Sequence, residues 1–423
     1  MFKQMQPKYW LLTLLALVSL SLSGFAQVAD ARLTGAVKDQ TGAVVPGATI
    51  TIKNTRTGET RTAQSSGEGI FQVTGLKPSV YTIAVTANGF AKTEYTSVEL
   101  VVGQALNLDV ELKPVGATES VNIVGGDEAT LNTSSAAMGA NVNENEVKGL
   151  PLNGRQLSQL YLQAPGALNS GSGTFGDIRF SGRAVNQNAI RYDGVEGSAI
   201  IDASPGNLNG ETPSPFRLQA SLENVQEFRV ESNSYPAEYG TGTGGQVSVV
   251  TKSGGNQFHG SVFEYLRNDR LDARNWFDRA TKSPLKLNQF GASLGGAIIK
   301  NRLFFFGSYE GYRLRSGINF VEAVPSAAAC GRAVAAVAPL CLAAFRGAGA
   351  VILPGASTSP DFEIAQLQAS NPVNENSGAL RLDYKHSDAH SFYVRFFRDQ
   401  ANNDQPQTRR RNLITTTAIT TLT

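Results

Sequence analysis

Two Gly-x-Gly-x-x-Gly spacings could cradle a phosphate: Gly171, Gly173 and Gly176, then Gly240, Gly242 and Gly245. A dinucleotide site needs a strand before this pattern and a helix after it, because the helix N-terminus holds the pyrophosphate. The second pattern runs into Gln246 to Lys252, which reads as a strand, and the first follows no convincing strand. The glycines are therefore expected to form tight turns. His386 and His390, with Asp388 between them, suggest a metal, but they bracket a short turn where side chains are solvated, and His259 stands apart. Three histidines without a converging further ligand do not make a catalytic zinc site. No nucleophile elbow and no Cys–His pair is read from the sequence. The expectation is a protein that is not an enzyme and carries neither cofactor nor metal.

The elements that would position chemistry are strands and turns. Of 423 residues, 43 are glycine and only 17% are charged, against a typical quarter charged. Such a length suggests two or three domains. Lys plus Arg is 37 and Asp plus Glu is 35, so the basic excess needed to hold nucleic acid is missing. Two cysteines cannot build a disulfide framework or a four-thiolate zinc site.

Residues 1–26 read as a signal peptide. Lys3 and Lys8 precede the apolar run Trp10 to Leu22, and Ser23-Gly-Phe-Ala26 supplies small residues for cleavage before Gln27. A run of about 13 apolar residues is short of the roughly 20 that span a bilayer. A buried core helix is the alternative. After Gln27 no apolar run approaches a spanning helix, so membrane contact would be made by strands.

Residues 31–113 alternate apolar and polar side chains in short runs: Leu33 to Val37, Ala48 to Ile52, Gly69 to Val73 and Tyr81 to Val85. Turn signals separate them, as in a small β-sandwich. Gly35 to Ala48, Gly69 to Phe71 and Gly75 to Tyr81 resemble the three motifs of the carboxypeptidase regulatory-like, or prealbumin-like, domain. That resemblance implies a structural spacer, with sugar binding as the other option because carbohydrate-binding modules share the fold.

Residues 117–255 are richer in Asn, Gly and Gln. Helical turns are expected at Glu144 to Leu150 and Gly154 to Gln163, the latter with Leu157, Leu160 and Tyr161 on one face. Strands are expected at Asn188 to Val195, Asn224 to Glu231 and Gln246 to Lys252. The Asp193-Gly194-Val195 turn, Val225 to Val230, the loop Tyr239 to Gly245 and Val247 to Lys252 resemble the plug domain of TonB-dependent outer-membrane transporters. Tyr239, Gly240, Gly242 and Gly245 carry its loop motif.

Residues 256–423 alternate again. Phe290, Ala292, Leu294 and Ile298 share one face, and Gln289, Gly291, Ser293 and Gly295 the other. Leu380, Leu382 and Tyr384 alternate with Arg381, Asp383 and Lys385, and Phe392, Val394 and Phe396 with Ser391, Tyr393, Arg395 and Asp399. Strands of about ten residues, joined by loops alternately long and short, indicate a transmembrane β-barrel. Lys300 to Gly311 is similar to a hairpin of the Oar-like branch of TonB-dependent proteins. That branch also sets a regulatory-like domain before its plug.

The fold expected is thus mainly β: a prealbumin-like sandwich, a mixed α/β plug, and the first strands of an incomplete barrel. The resemblance implies a transporter or receptor of the outer membrane that takes up an unknown small ligand, with lipid around it. It also implies a TonB-type energy-transducing protein of the inner membrane that adds a strand to Glu119, Ser120, Val121, Asn122, Ile123 and Val124. A first plug strand is the other reading of that segment. Cys330 and Cys341 fall in the longest loop, where they either close a disulfide or remain two thiols. About five strands fit after residue 255, whereas the family's 22 would need about 220 residues before loops. Open edges in lipid are costly, so the chain is expected to be a fragment that does not by itself insert as a working transporter. The competing readings are a secreted or surface β-sandwich protein binding carbohydrate or acting as an adhesin, and a peptidase accessory protein.

Overall fold

The computed structural model describes residues 30–115, 123–124, 137–152, 155–169, 178–196, 221–235, 237, 239, 242–276, 278, 281–341, 351–355, 359–387, 390–406 and 417–422. The expected signal peptide lies outside the described residues. No described helix is long and apolar enough to cross a membrane.

The N-terminal part is a sandwich. One sheet contains β1 (Ala31–Asp39), β4 (Ile70–Leu76), β7 (Ala105–Asn107) and β8 (Val110–Leu112), with β1 central. The other has the order β3-β2-β5-β6-β9, formed by β2 (Thr49–Asn54), β3 (Thr60–Gln64), β5 (Ser79–Thr86), β6 (Thr93–Leu100) and β9 (Ile123–Val124). Alternation along the strands puts Leu33, Val37, Ile50, Ile52, Phe71, Ile83, Val85 and Leu100 into the shared core. Burying a side chain of this size stabilises the fold by about 1.5–3 kcal/mol. Gly35 permits close approach, because a Cβ there would lie 1.9 Å from the Leu108 carbonyl oxygen.

The middle part is a five-stranded sheet of order β10-β15-β16-β13-β14: β10 (Met138–Val142), β13 (Ala189–Tyr192), β14 (Val195–Glu196), β15 (Val225–Asn233) and β16 (Gln246–Thr251). A small hairpin, β11 (Ala167–Asn169) with β12 (Ile178–Phe180), stands beside it. Helix α1 (Glu144–Gly149) begins with a capping box in which Asn143 and Glu146 satisfy each other's backbone amides. The segment expected as a helix from Gly154 is instead a 3-10 helix, Leu157–Gln163, whose Leu157, Leu160 and Tyr161 are buried. It stops at Ala164, which is extended, as favoured for the residue before Pro165.

The third part is one wall of order β17-β18-β19-β21-β22-β23, with β20 paired to β21. Its strands are β17 (His259–Asn268), β18 (Leu285–Ile299), β19 (Leu303–Pro325), β20 (Val351–Ile352), β21 (Phe362–Lys385), β22 (Ser391–Pro406) and β23 (Thr417–Leu422). Seven strands replace the five expected, because short β20 and terminal β23 both pair. The strands also exceed the expected ten residues: β19 has 23 and β21 has 24. At about 3.3 Å per residue they continue well past a hydrocarbon layer of about 30 Å. Much of the long loop expected before Leu380 is therefore paired strand. The connections 269–284 and 326–361 are long, and 300–302 and 386–390 are short. In the described sheet β17 and β23 each have one neighbour, so the barrel is not closed.

Polarity in the wall is inverted relative to a soluble sheet. Phe290, Leu294, Ile298, Leu380, Leu382, Tyr384, Phe392, Val394 and Phe396 are exposed, Val394 to 70%. Gln289, Glu310, Glu375, Ser377, Arg381 and Asp383 on the other face are buried.

Candidate functional site: buried junctions between the three parts

Asp193 and Gly194 form the two-residue turn between β13 and β14, with φ of 48° and 82°. Such a hairpin needs positive φ at both central positions, which Asp-Gly supplies. The turn aims the Asp193 carboxylate at the wall. Its oxygens accept from the Thr251 amide at 2.8 Å, the Thr251 hydroxyl at 2.6 Å and Arg395 Nη1 at 2.7 Å. Arg381 Nη1 donates to the same carboxylate at 3.3 Å, and its Nε and Nη2 grip Asp383 at 2.9 and 3.0 Å. Arg381 also lies 4.8 Å from the Tyr393 ring centroid. Asp383 reaches further, to Lys77 of the sandwich, at 3.9 Å. A chain of alternating charge thus links all three parts: Lys77, Asp383, Arg381, Asp193 and Arg395.

A second junction centres on Glu310 of β19, which is fully buried. It accepts from Gln289 Nε2 at 2.6 Å and from the Ser221 hydroxyl. Arg155 Nε lies 3.6 Å from Glu310, and Arg155 Nη2 donates to Glu223 at 2.9 Å. The Arg155 guanidinium covers the Phe263 ring at 4.1 Å. Glu223 accepts from Ser261 at 2.5 Å and Ser293 at 3.3 Å. Burial works to raise the Glu223 pKa, but the Ser261 hydroxyl, Lys252 and Arg155 together hold it below the ordinary glutamate value. Buried charges persist when paired and hydrogen-bonded; every charge here is paired, although Arg155 Nε, facing Glu310, makes no hydrogen bond of its own.

The third junction joins the sandwich to the middle sheet. The Val102 amide donates to Glu227 Oε1 at 2.5 Å, and Gln226 Nε2 donates to the Pro78 carbonyl at 3.2 Å. Arg56 Nη2 donates to the Ser253 carbonyl at 3.3 Å, while the Asn256 amide donates to the Arg56 carbonyl at 2.9 Å. Burial pushes the Glu227 carboxyl up to about 8; Glu99 and Glu144 add to the rise, and the Val102 amide and Arg56 oppose it.

The described residues of the glycine-rich loop pack against the protein itself instead of forming a phosphate cradle. Gly242 has φ of 77°, and a Cβ on Gly245 would lie 2.2 Å from the Phe180 ring. β16, not a helix, follows, so the glycines serve close packing of the loop on β12. Tyr239 stacks edge-on with Tyr235 at 5.6 Å and lies 5.4 Å from the Arg191 guanidinium. Gly240, Gly171, Gly173, Gly176 and Asp388 lie outside the described residues. One Gly-x-Ser-x-Gly spacing, Gly291 to Gly295, corrects the expectation that the pattern is absent. It runs mid-strand in β18, without the strand-to-helix turn that an elbow requires, and Ser293 is hydrogen-bonded to Glu223.

Of the expected coupling segment, Ile123 and Val124 are described: they pair in parallel with Tyr95 and Thr96 at the edge of β6. Glu119, Ser120, Val121 and Asn122 lie outside the described residues. Val195 sits on β14, exposed. Cys330 and Cys341 are bonded to each other, 11 apart in sequence. Arg155 and Glu223 carry junctions that the motifs did not point to, while Glu227 and Glu310 fall inside the matched stretches Val225 to Val230 and Lys300 to Gly311 without being singled out there. The signal for Arg155 and Glu223 is charge on turns whose neighbours are mostly apolar or small; Glu227 and Glu310 add to that a place inside a matched motif.

Family models fall on the first and third of these parts. Residues 32–113 match the model of the carboxypeptidase regulatory-like domain, and residues 250–421 that of an outer membrane beta barrel domain. The TonB-dependent transporter Oar of Myxococcus xanthus is 28% identical over 264 residues, covering 59% of this chain and 23% of Oar. The match thus spans less than a quarter of that relative's length. Among solved structures, a ferric enterobactin receptor of Pseudomonas aeruginosa aligns over 64% of this chain and 34% of its own, at 15% identity and a TM-score of 0.41. A putative carbohydrate-binding protein of Bacteroides uniformis aligns over 20% of this chain and 42% of its own, at 22% identity and a TM-score of 0.18. The chain is thus similar over 59% of its length to the TonB-dependent transporter Oar, and it matches, in order along the chain, a carboxypeptidase regulatory-like domain and an outer membrane beta barrel domain.

Proposed function

We propose that the chain is the N-terminal portion of a TonB-dependent outer-membrane transporter or receptor that takes up a small ligand and performs no chemistry on it. The inverted polarity of the wall carries this reading. An exposed face of Leu294, Leu380, Val394 and Phe396 suits lipid, while Glu310, Glu375 and Arg381 are buried on the opposite face. A soluble sandwich would bury the apolar face instead. In this reading residues 117–255 are the plug, held in the lumen by the Asp193 and Glu310 junctions. The short turns 300–302 and 386–390 face the periplasm, and the disulfide-braced loop faces outside.

Energy at a membrane without ATP must come from a partner. A TonB-type protein adding a strand to Glu119–Val124 would supply it, and among the described residues no strand lies beyond Ile123–Val124 on the side away from β6. Single cysteines at Leu294, Leu380 and Val394, placed in the whole transporter of which the chain is the proposed N-terminal portion and carried in outer-membrane vesicles, test the reading. Probes confined to the lipid phase are expected to label all three and to miss Gln289 and Ser377 replaced in the same way. Labelling from the aqueous phase alone at Leu294, Leu380 and Val394 would overturn it.

A further inference from the structure

The sandwich meets the rest of the chain at the end of the wall that carries the short turns. Arg56 reaches Ser253 and Asn256 there, and Lys77 reaches Asp383. A Cβ on Gly58 would lie 2.6 Å from the Asn301 side-chain oxygen, inside the first short turn. Arg56, Lys77, Ser253, Gly254, Asp383 and Phe392 enclose a small cavity where the three parts converge. The sandwich also holds the middle sheet directly, through Val102 on Glu227 and Pro78 on Gln226. Both acceptor and donor there sit on β15, a strand with neighbours on both sides.

We propose that the sandwich is a latched lid over the short-turn mouth of the wall, held to the middle sheet by the Glu227 carboxyl gripping the Val102 amide. Passage from the lumen toward the periplasm then requires the lid to undock. The proposal rests on the transporter reading above and adds a regulatory contact to it.

Glu227 suits a latch because it is almost fully buried, on a surface that two parts of the chain share. The charged groups that face it are Glu99 of β6, Glu144 of α1 and Arg56 of the β2–β3 turn. Two of the three are acidic, so ionised Glu227 is opposed by like charge as well as by burial. Undocking returns the carboxyl to water and to its ordinary glutamate value, below the docked value of about 8. A group whose pKa is raised in the docked state favours docking fully below its free pKa and loses that contribution as pH rises through the docked pKa. The latch therefore holds in acid and loosens toward pH 8 and above.

The test uses the same whole transporter in outer-membrane vesicles, spin-labelled at Thr41→Cys in the sandwich and Lys300→Cys in the first short turn. Both positions are exposed, and the native cysteines are bonded to each other, so the introduced thiols react. At pH 6 the distance distribution is expected to be single and narrow, and at pH 9 to gain a broad, longer component. Glu227→Gln is expected to stay narrow at both, and Glu227→Ala to be broad at both. A wild-type distribution that is broad at pH 6, or stays narrow at pH 9, overturns the lid. So does a Glu227→Gln protein that broadens at pH 9 with the wild type, a result that remains decisive if Glu227→Ala fails to fold. Lipid-phase labelling of the same vesicles reports separately on the transporter reading: a lid that fails in a lipid-labelled wall leaves that reading standing.

Discussion

Arg381 of the wall and Asp193 of the middle sheet stand 3.3 Å apart, 188 residues from each other in sequence, with both side chains almost fully buried. The aspartate comes from a two-residue turn and the arginine from a strand whose next inward residue, Asp383, holds the rest of its guanidinium. The planar fork grips Asp383 through two parallel N–H groups while a further N–H serves Asp193, a bidentate geometry that an ammonium cannot reproduce.

Breaking that pair is expected to be expensive. Asp193→Ala leaves Arg381 and Arg395 facing each other without their shared acceptor, and removing one partner of a buried pair costs about 3–5 kcal/mol. The midpoint of denaturant unfolding is expected to fall accordingly. Arg381→Lys is expected to lose part of that stability, and the double variant Asp193→Ala with Arg381→Ala less than the sum of the singles. Additive losses would show that the two residues do not act together.

The Glu223 junction is expected to weaken in acid. Its pKa is held below the ordinary glutamate value, so it adds stability above that value and loses it as pH falls through the depressed pKa. Glu223→Gln is expected to flatten the acid limb of stability against pH and to leave the neutral-to-alkaline limb unchanged. An acid limb of unaltered slope would mean that other carboxylates carry it.

Gly245→Ala is expected to destabilise the middle sheet by about 1–3 kcal/mol, the usual cost of overpacking. The new methyl would meet the buried Phe180 ring. Phe180→Leu in the same chain is expected to restore part of the loss by opening room. Thermal unfolding of the single and double variants checks both expectations.

Sandwich stability is expected to depend on its alternating core. Ile52→Ala removes a side chain only 1% exposed and is expected to cost about 2–5 kcal/mol. The neighbouring Lys53→Ala, on the solvent face, is expected to change stability by less than about 0.5 kcal/mol. Equal losses at the two positions would contradict the assigned strand register.

Much of the strand pattern was legible in the sequence, because each strand's alternation is set locally by a period of two. Leu380, Arg381, Leu382, Asp383 and Tyr384 read as two opposed faces from their order alone, and the structure exposes the first kind and buries the second. Asp-Gly at 193–194 likewise marked its own turn, since only a few residue types tolerate positive φ. Strand length was less legible. The polar stretch around Asn371 and Asn374 looks like loop until Ser316 and Arg313 pair opposite those two residues. Partners were not legible at all. Nothing near Glu310 announces Arg155 or Ser221, and nothing near Glu227 announces Val102, because these meetings depend on how three separate layers dock. Sequence order dictates which face a side chain takes; only the packed chain decides what that face meets, and therefore which buried charges are paired.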